Sequence, residues 1–409
     1  MEELWQKELL QAAEKEKEQL IVWRRQLHAY AETGFELPET IAYVEKELKI
    51  MGFVPKRCGR AGMIAELGNG NKDNIFLLRA DMDALPVREQ AEISFAAENG
   101  NMHACGHDMH TAMLLGAAKL LKERENKLAG TVRLMFQPAE ELLSGAKDMI
   151  ENGVLESGTV TGAMMLHVMT GVEIPVGTAI VAVPGVSAPA ADYFTILVKG
   201  KGCHGSSPNL GIDPVNAAAH IVLALQEIQT RELSVVERAM LTVGSIQGGE
   251  AANVIPDCVV LKGTMRAYRE DTREYLKERL VSVAEKTAEV FRASAEVTFP
   301  CGCPALKNDA ALRARVFEYA KGLLGEQRAL DAGELAGGAG SGRAEKTGGS
   351  EDFAYVSEKV PSVMVALAAG TPQNGCEYPL HHPQVMFEEE AMPSGSALLA
   401  YTALCELGR

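Results

Sequence analysis

Apolar residues recur along this chain at two alternating spacings, one helical and one extended. Residues 3–31 are densely charged and predict a surface helix. Pro38 opens a second helix, in which Ile41, Val44, Leu48 and Met51 fall on one face and Gly52 follows the end. GMIAEL (62–67) and NIFLLR (74–79), joined by a Gly/Asn turn, predict a hairpin whose second strand delivers the chain to Asp81 and Asp83. A helix from His107, a strand over 131–137, a helix near 145–152 and a strand over 163–168 continue the alternation. This is the pattern of a layered α/β domain, in which ligands gather at the carboxyl ends of strands. The acidic and His residues fall at those ends.

Between about 188 and 299 the order becomes β-α-β-β-α-β, the signature of a small split-βαβ (ferredoxin-like, α+β) domain. Helix and strand patterns then resume, with a helix near 309–324, the strand SVMVALAAG and a last helix near 388–406. The expectation is a discontinuous α/β domain, 1–187 and 300–409, carrying an insertion at 188–299. Residues 332–349 are Gly/Ala-rich and non-periodic and predict a mobile surface loop, either linker or lid.

A length of 409 residues also favours two domains over one. Apolar residues at 47% and charged residues at 23% describe a folded globular protein. With 40 Lys plus Arg against 55 Asp plus Glu, the formal charge of −15 argues against nucleic acid or an anionic membrane as the main partner. No apolar run is long enough for a membrane span. The eight cysteines follow a charged N-terminus with no signal-peptide core, so reduced thiols in the cytoplasm are expected.

The densest polar cluster is MHACGHDMHT (102–111), which sets Cys105 two residues from His107 among His103, Asp108 and His110. Each residue alone reads best as core or surface filler. Together they point to a metal, since a thiolate and an imidazole at this spacing can share Zn²⁺. Glu140 and Glu141 follow a strand and a proline; one carboxylate can bind a cation while the other shuttles a proton. Alternatively, the pair is only the acidic start of a helix. His167 lies near a strand end, and His381-His382-Pro383 offers a further imidazole. If the sheet gathers Cys105, His107, Glu141, His167 and one of these two histidines, the set suits two cations with a shared ligand and an activated water, with Glu140 as general base. Amide hydrolysis follows from such parts. His204, in a Gly-rich loop, could stabilise an oxyanion, and Asn253 and Arg266 could hold a substrate carboxylate.

RADMDALPV (79–87), MHACGHDMHTAMLLGAA (102–118), FQPAEE (136–141), LHV (166–168), VKGKGCHGSSPNLGIDPVNAAA (198–219), NVIPD (253–257), GSEDFAYVSEKVP (349–361) and LHHP (380–383) run in order over nearly the whole chain. Jointly they resemble the dinuclear metallopeptidase family of aminoacylases and carboxypeptidases, and more narrowly its hippurate hydrolase and auxin-conjugate amidohydrolase branch. The resemblance implies a zinc-peptidase-like catalytic domain, a mixed sheet flanked by helices, with an inserted lid that often dimerises. It implies metal ligation by Cys105, His107, Glu141, His167 and His381, the last chosen over His382 because it stands two residues before a proline. Cys105 is the implied bridge between two divalent ions, Zn or Mn, and Glu140 the base. Asp83 matches an aspartate that orients a ligand imidazole. His204, Asn253 and Arg266 match substrate-contacting lid positions, His204 acting in the partner's site in dimeric relatives. Cys203 stands where the branch usually has Gly and Asn209 where it commonly has His, which bears on substrate preference. Asp81 stands where other branches have a ligating His and is not carried over as a ligand.

The function expected is hydrolysis of the amide of an N-acyl amino acid by a homodimer. The rivals are a dipeptidase or carboxypeptidase-type peptidase on the same site, a cysteine hydrolase using Cys105, and a non-catalytic metal- or metabolite-binding protein.

Overall fold

The computed structural model describes residues 2–337 and 349–408. Its chain divides into two compact units: one of residues up to Ser187 and from Lys307 onward, the other of Ala188–Leu306 with the short run ending at Glu351.

The first unit is built on an eight-stranded mixed sheet. β1 (Lys56–Cys58), β2 (Gly62–Gly68), β3 (Ile75–Asp81), β4 (Thr131–Gln137), β5 (Val160–Met169) and β6 (Ala179–Val181) are joined by the strands Ala329–Asp331 and Ser362–Ala368. β2 and β3 do not form the expected hairpin. β4 lies between them, antiparallel to β2 and parallel to β3, while β5 runs parallel to β3 on its other side. The seven residues of β3 are all buried, and so are those of β4. A strand enclosed on both faces needs neighbours on both edges, and the short turn between β2 and β3 could not supply them. As a result β3, β4 and β5 end side by side, and their carboxyl ends carry the chain to Asp81, Gln137 and His167.

The N-terminal segment is two helices, α1 (Glu2–Lys15) and α2 (Lys17–Tyr30), rather than one. Nor is it mainly surface: Leu9, Ala13, Leu20, Trp23 and Leu27 form a buried stripe, and Arg24 and His28 are buried with it. α3 (Pro38–Ile50) buries Ile41, Val44 and Leu48 as expected. α4 (His107–Lys122) is buried at every position from His107 to Ala118, which places the start of this helix deep inside the unit. α5 (Gly145–Glu151) follows β4, and the helix Met392–Leu407 packs along α4. Of the Gly/Ala-rich run, Ala332–Gly337 is a short helix and residues 338–348 lie outside the described residues.

The second unit has an antiparallel sheet in the order 239–247, 258–267, 190–199, 294–298. α6 (Pro214–Glu227) and α7 (Glu270–Val290) complete the β-α-β-β-α-β order, and Ile221, Leu225, Leu276 and Leu280 share a core with Phe194, Ile196 and Val198. The alternation at 194, 196 and 198 is the period of a strand buried on one face. No helix among the described residues is long and apolar enough to cross a membrane.

Candidate metal centre

Gly106, with φ +82°, turns the chain into α4 and leaves Cys105 and His107 on either side of the turn. His107 occupies the first helical position, where the helix dipole favours anionic neighbours. Its Nδ1 lies 2.8 Å from the Asp83 carbonyl, which can only accept, so Nδ1 carries a proton and Nε2 is the nitrogen left for a metal. That buried Nε2 has no hydrogen-bond partner and faces Asp81 Oδ2 at 3.5 Å, Glu140 Oε2 at 3.9 Å and Glu141 Oε1 at 4.0 Å. Cys105 Sγ lies 3.5 Å from His167 Nε2 and 3.3 Å from His381 Nε2, and His381 Nε2 is also 3.3 Å from Glu141 Oε1. His382 is turned away, stacked on Tyr378 with ring centroids 4.2 Å apart. His381 adopts φ +67° and its N–H bonds the Ala104 carbonyl, tying the C-terminal loop to the Cys105 loop.

Donor atoms of Cys105, His107 and His167 lie within 4.8 Å of one another, and so do those of Cys105, Glu141 and His381. The two groups share Cys105. Burial alone would push its thiol up, but the His167 and His107 imidazoles outweigh burial and bring it down to about 6. His381 is raised to about 10 by its hydrogen bonds to Cys105 and Glu141.

Glu140 and Glu141 occupy a turn after β4 bounded by Ala139 at φ +52° and Leu143 at φ +51°. Two non-glycine residues in this region cost roughly 1–3 kcal/mol each. The Asp83 carboxylate holds the turn by accepting the Glu140 N–H at 3.0 Å and the Glu141 N–H at 3.2 Å. Asp83 thus meets His107 chiefly through its backbone carbonyl, with its carboxylate serving the Glu140-Glu141 turn.

In the second unit His204 and Asn253 come together: Val254 pairs with His204, and the Gly205 N–H bonds the Asn253 carbonyl. His204 Nδ1 contacts the Ser206 hydroxyl at 2.7 Å. Arg266 is not part of this pair. It lies on the strand Cys258–Ala267 of the larger sheet, bonded to Thr264 and lying over Tyr193.

Two buried polar networks were not anticipated. Arg79 joins Asp81, Gln137 and Asp352, and Asp81 contacts His110. Arg24 and His28 meet Asp108, with Glu89 on the other side of His28. The i, i+3 spacing of His107 and His110 on α4 was a usable signal for the first; the second joins residues 61 to 84 positions apart and left none.

Residues 77–404 match the sequence profile of peptidase family M20/M25/M40. The chain belongs to this family. An N-acetyl-L-cysteine deacetylase of Bacillus subtilis (strain 168) is 37% identical to this M20 chain over 389 residues, covering 95% of the chain and 88% of the relative. An IAA-amino acid hydrolase ILR1-like 2 of Arabidopsis thaliana is also 37% identical, over 93% of the chain and 83% of the relative. A solved dinuclear metal-binding M20 peptidase from Bacillus subtilis superposes with a TM-score of 0.75 at 32% identity, covering 96% of the chain and 99% of that structure. The donor set of this M20 hydrolase fits divalent cations. A buried imidazole nitrogen without a hydrogen-bond partner, a thiol brought down by its imidazole neighbours and the Glu141 carboxylate converge there, a donor set of the kind that holds such ions.

Proposed function

We propose that this M20 hydrolase cleaves the amide bond of N-acyl amino acids. What carries the reading is the pair of donor groups meeting at Cys105 with the buried Glu140 carboxylate beside them. The relatives named above, a deacetylase of an N-acetylated amino acid and a hydrolase of an amino acid conjugate, support the substrate class.

In this reading Cys105, His107 and His167 would hold one divalent ion and Cys105, Glu141 and His381 a second, with Cys105 common to the two donor groups. Such ions lower the pKa of a water and polarise a carbonyl. The thiolate favours Zn²⁺ on softness, while the carboxylate and imidazoles also suit Mn²⁺. Glu140 accepts the proton of the attacking water on its carboxylate and returns it to the departing amine. Its place is set by Asp83, which grips the Glu140 N–H, while the Asp83 carbonyl fixes the His107 tautomer. His204 stabilises the oxyanion, and Asn253 and Arg266 bind the substrate carboxylate. The protein acts as a homodimer, with the second unit as a dimerising lid and His204 serving the partner's site. The enzyme acts in the cytoplasm.

Glu140→Gln tests the reading. Turnover of N-acetyl amino acids and of hippurate should fall by about 10²–10⁴-fold, while metal content by elemental analysis stays at the wild-type value. Retained turnover removes Glu140 as base; preference for unblocked dipeptides over N-acyl amino acids removes the substrate class.

A further inference from the structure

His110 forms a trio with Asp81 and His107 whose donor atoms approach closely enough to hold an ion. Its hydrogen bonds assign it another task. The Val168 N–H donates to His110 Nε2 at 2.8 Å, and a backbone amide can only donate, so Nε2 is the unprotonated nitrogen and its lone pair is spent. Nδ1 therefore carries the proton and donates to Asp81 Oδ1 at 2.6 Å. Asp81 is fixed in turn. Arg79 Nη1 donates to its Oδ2 at 2.8 Å, and the Thr111 hydroxyl donates to its carbonyl at 2.7 Å. On the far side Arg79 is anchored by Gln137 at 2.8 Å. Arg79, Asp81 and His110 are all buried, so water does not compete for these bonds.

Val168 is the residue after His167. His167 Nδ1 lies 2.7 Å from the Val168 carbonyl, which can only accept, so Nδ1 donates and Nε2 presents its lone pair toward Cys105 Sγ. Val168 is thus held at its N–H by one imidazole and at its C=O by the other. The His110 ring also packs edge-on against His167, with centroids 4.6 Å apart.

We propose that His110, aimed by Asp81 and Arg79, is a positioning residue that fixes the tautomer and direction of His167 for metal binding and does not itself bind an ion. The proposal rests on the reading of His167 as a metal ligand. It assigns Asp81 the task of orienting a histidine on α4.

The test is calorimetric titration of the metal-free full chain with Zn²⁺ against a competing chelator, together with thermal unfolding of the metal-free forms. His110→Asn keeps a donor for Asp81 and loses the acceptor for Val168. His110→Phe loses both but keeps the ring. His110→Gln places an oxygen near the position of Nε2. In the Asn and Phe variants the affinity of one of two sites should fall by about 10–100-fold, the same site that His167→Ala abolishes, with the other site unchanged and partial rescue in the Gln variant. Wild-type affinity at both sites in all three variants overturns the proposal. Equal weakening of both sites, in step with a lower unfolding temperature of the metal-free protein, also overturns it, because His110 is then only part of the core. If His167→Ala itself binds two ions as the wild type does, the ligand reading fails and this proposal fails with it.

Discussion

His28 lies between two carboxylates, with Nδ1 2.9 Å from Asp108 and Nε2 3.0 Å from Glu89. Burial alone would lower its pKa, but the hydrogen bonds to Asp108 and Glu89 outweigh burial and raise it from 6.5 to about 9. A folded-state pKa above the unfolded one means that the stabilisation is fully present below pH 6.5 and is lost as pH rises through about 9. The difference corresponds to about 3 kcal/mol. Urea unfolding of wild type and His28→Gln should therefore show a stability gap that narrows by about that amount between pH 6 and pH 10; a gap independent of pH rules out a charged His28. None of this was visible in the sequence, where a histidine in a charged helix reads as surface and its partners lie on a loop and on α4. The metal-site residues were more legible because their chemistry is written locally, as Cys105-Gly-His107 and as Glu140-Glu141 after a proline. The Asp83 carboxylate's grip on the Glu140-Glu141 turn was not, because it depends on β3 and β4 ending side by side.

The N-terminus of α4 and the end of β5 meet at a glycine. A Cβ on Gly106 would lie 2.4 Å from Val168 Cγ2 and 3.2 Å from Phe387 Cζ, in a backbone conformation that L residues avoid. Gly106→Ala should cost about 2–4 kcal/mol, from the left-handed backbone and overpacking together. Displacing Cys105 and His107, it should also weaken metal binding. Gly70→Ala is the control: its φ is +78° with nothing within 4 Å, so it carries the backbone cost alone. Thermal unfolding of the two variants compares them directly, and equal losses would mean that the close approach to Val168 is relaxed without cost. Element types and most boundaries were readable from periodicity, as at α3 and β4. Pairing was not. The turn between β2 and β3 reads as a hairpin because a turn signal reports only its own neighbourhood, whereas the insertion of β4 is decided by burial of β3 on both faces, and β4 lies 50 residues further along the chain.

At the scale of the molecule, the chain carries two separate cores. One includes Leu78, Met113, Leu134 and Leu398, the other Phe194, Ile221, Leu261 and Leu280. The change to β-α-β-β-α-β order is a local pattern and could be read directly, and the resumed helix and strand pattern after it led to the expectation of a discontinuous first domain; where Ser362–Ala368 would pair in its sheet, between β5 and β6, left no signal. The proposed ligands Cys105, His107, Glu141, His167 and His381 all belong to the first unit, at the start of α4, the turn after β4, the strand β5 and the loop at His381. A ligand that binds the native state alone stabilises by RT ln(1 + [L]/Kd), about 4 kcal/mol at a thousandfold excess over Kd, and only where it binds. Calorimetry of the full chain should therefore show one unfolding transition that falls by roughly 5–10 °C on chelation and returns when Zn²⁺ or Mn²⁺ is restored. A second transition should hold its temperature, since none of the proposed ligands lies in that unit. With His107→Ala the chelator-sensitive shift should shrink in the first transition alone. Equal displacement of both transitions by chelator would show that metal occupancy stabilises the two cores as one, and an unmoved profile would remove the metal centre from the energetics of the fold.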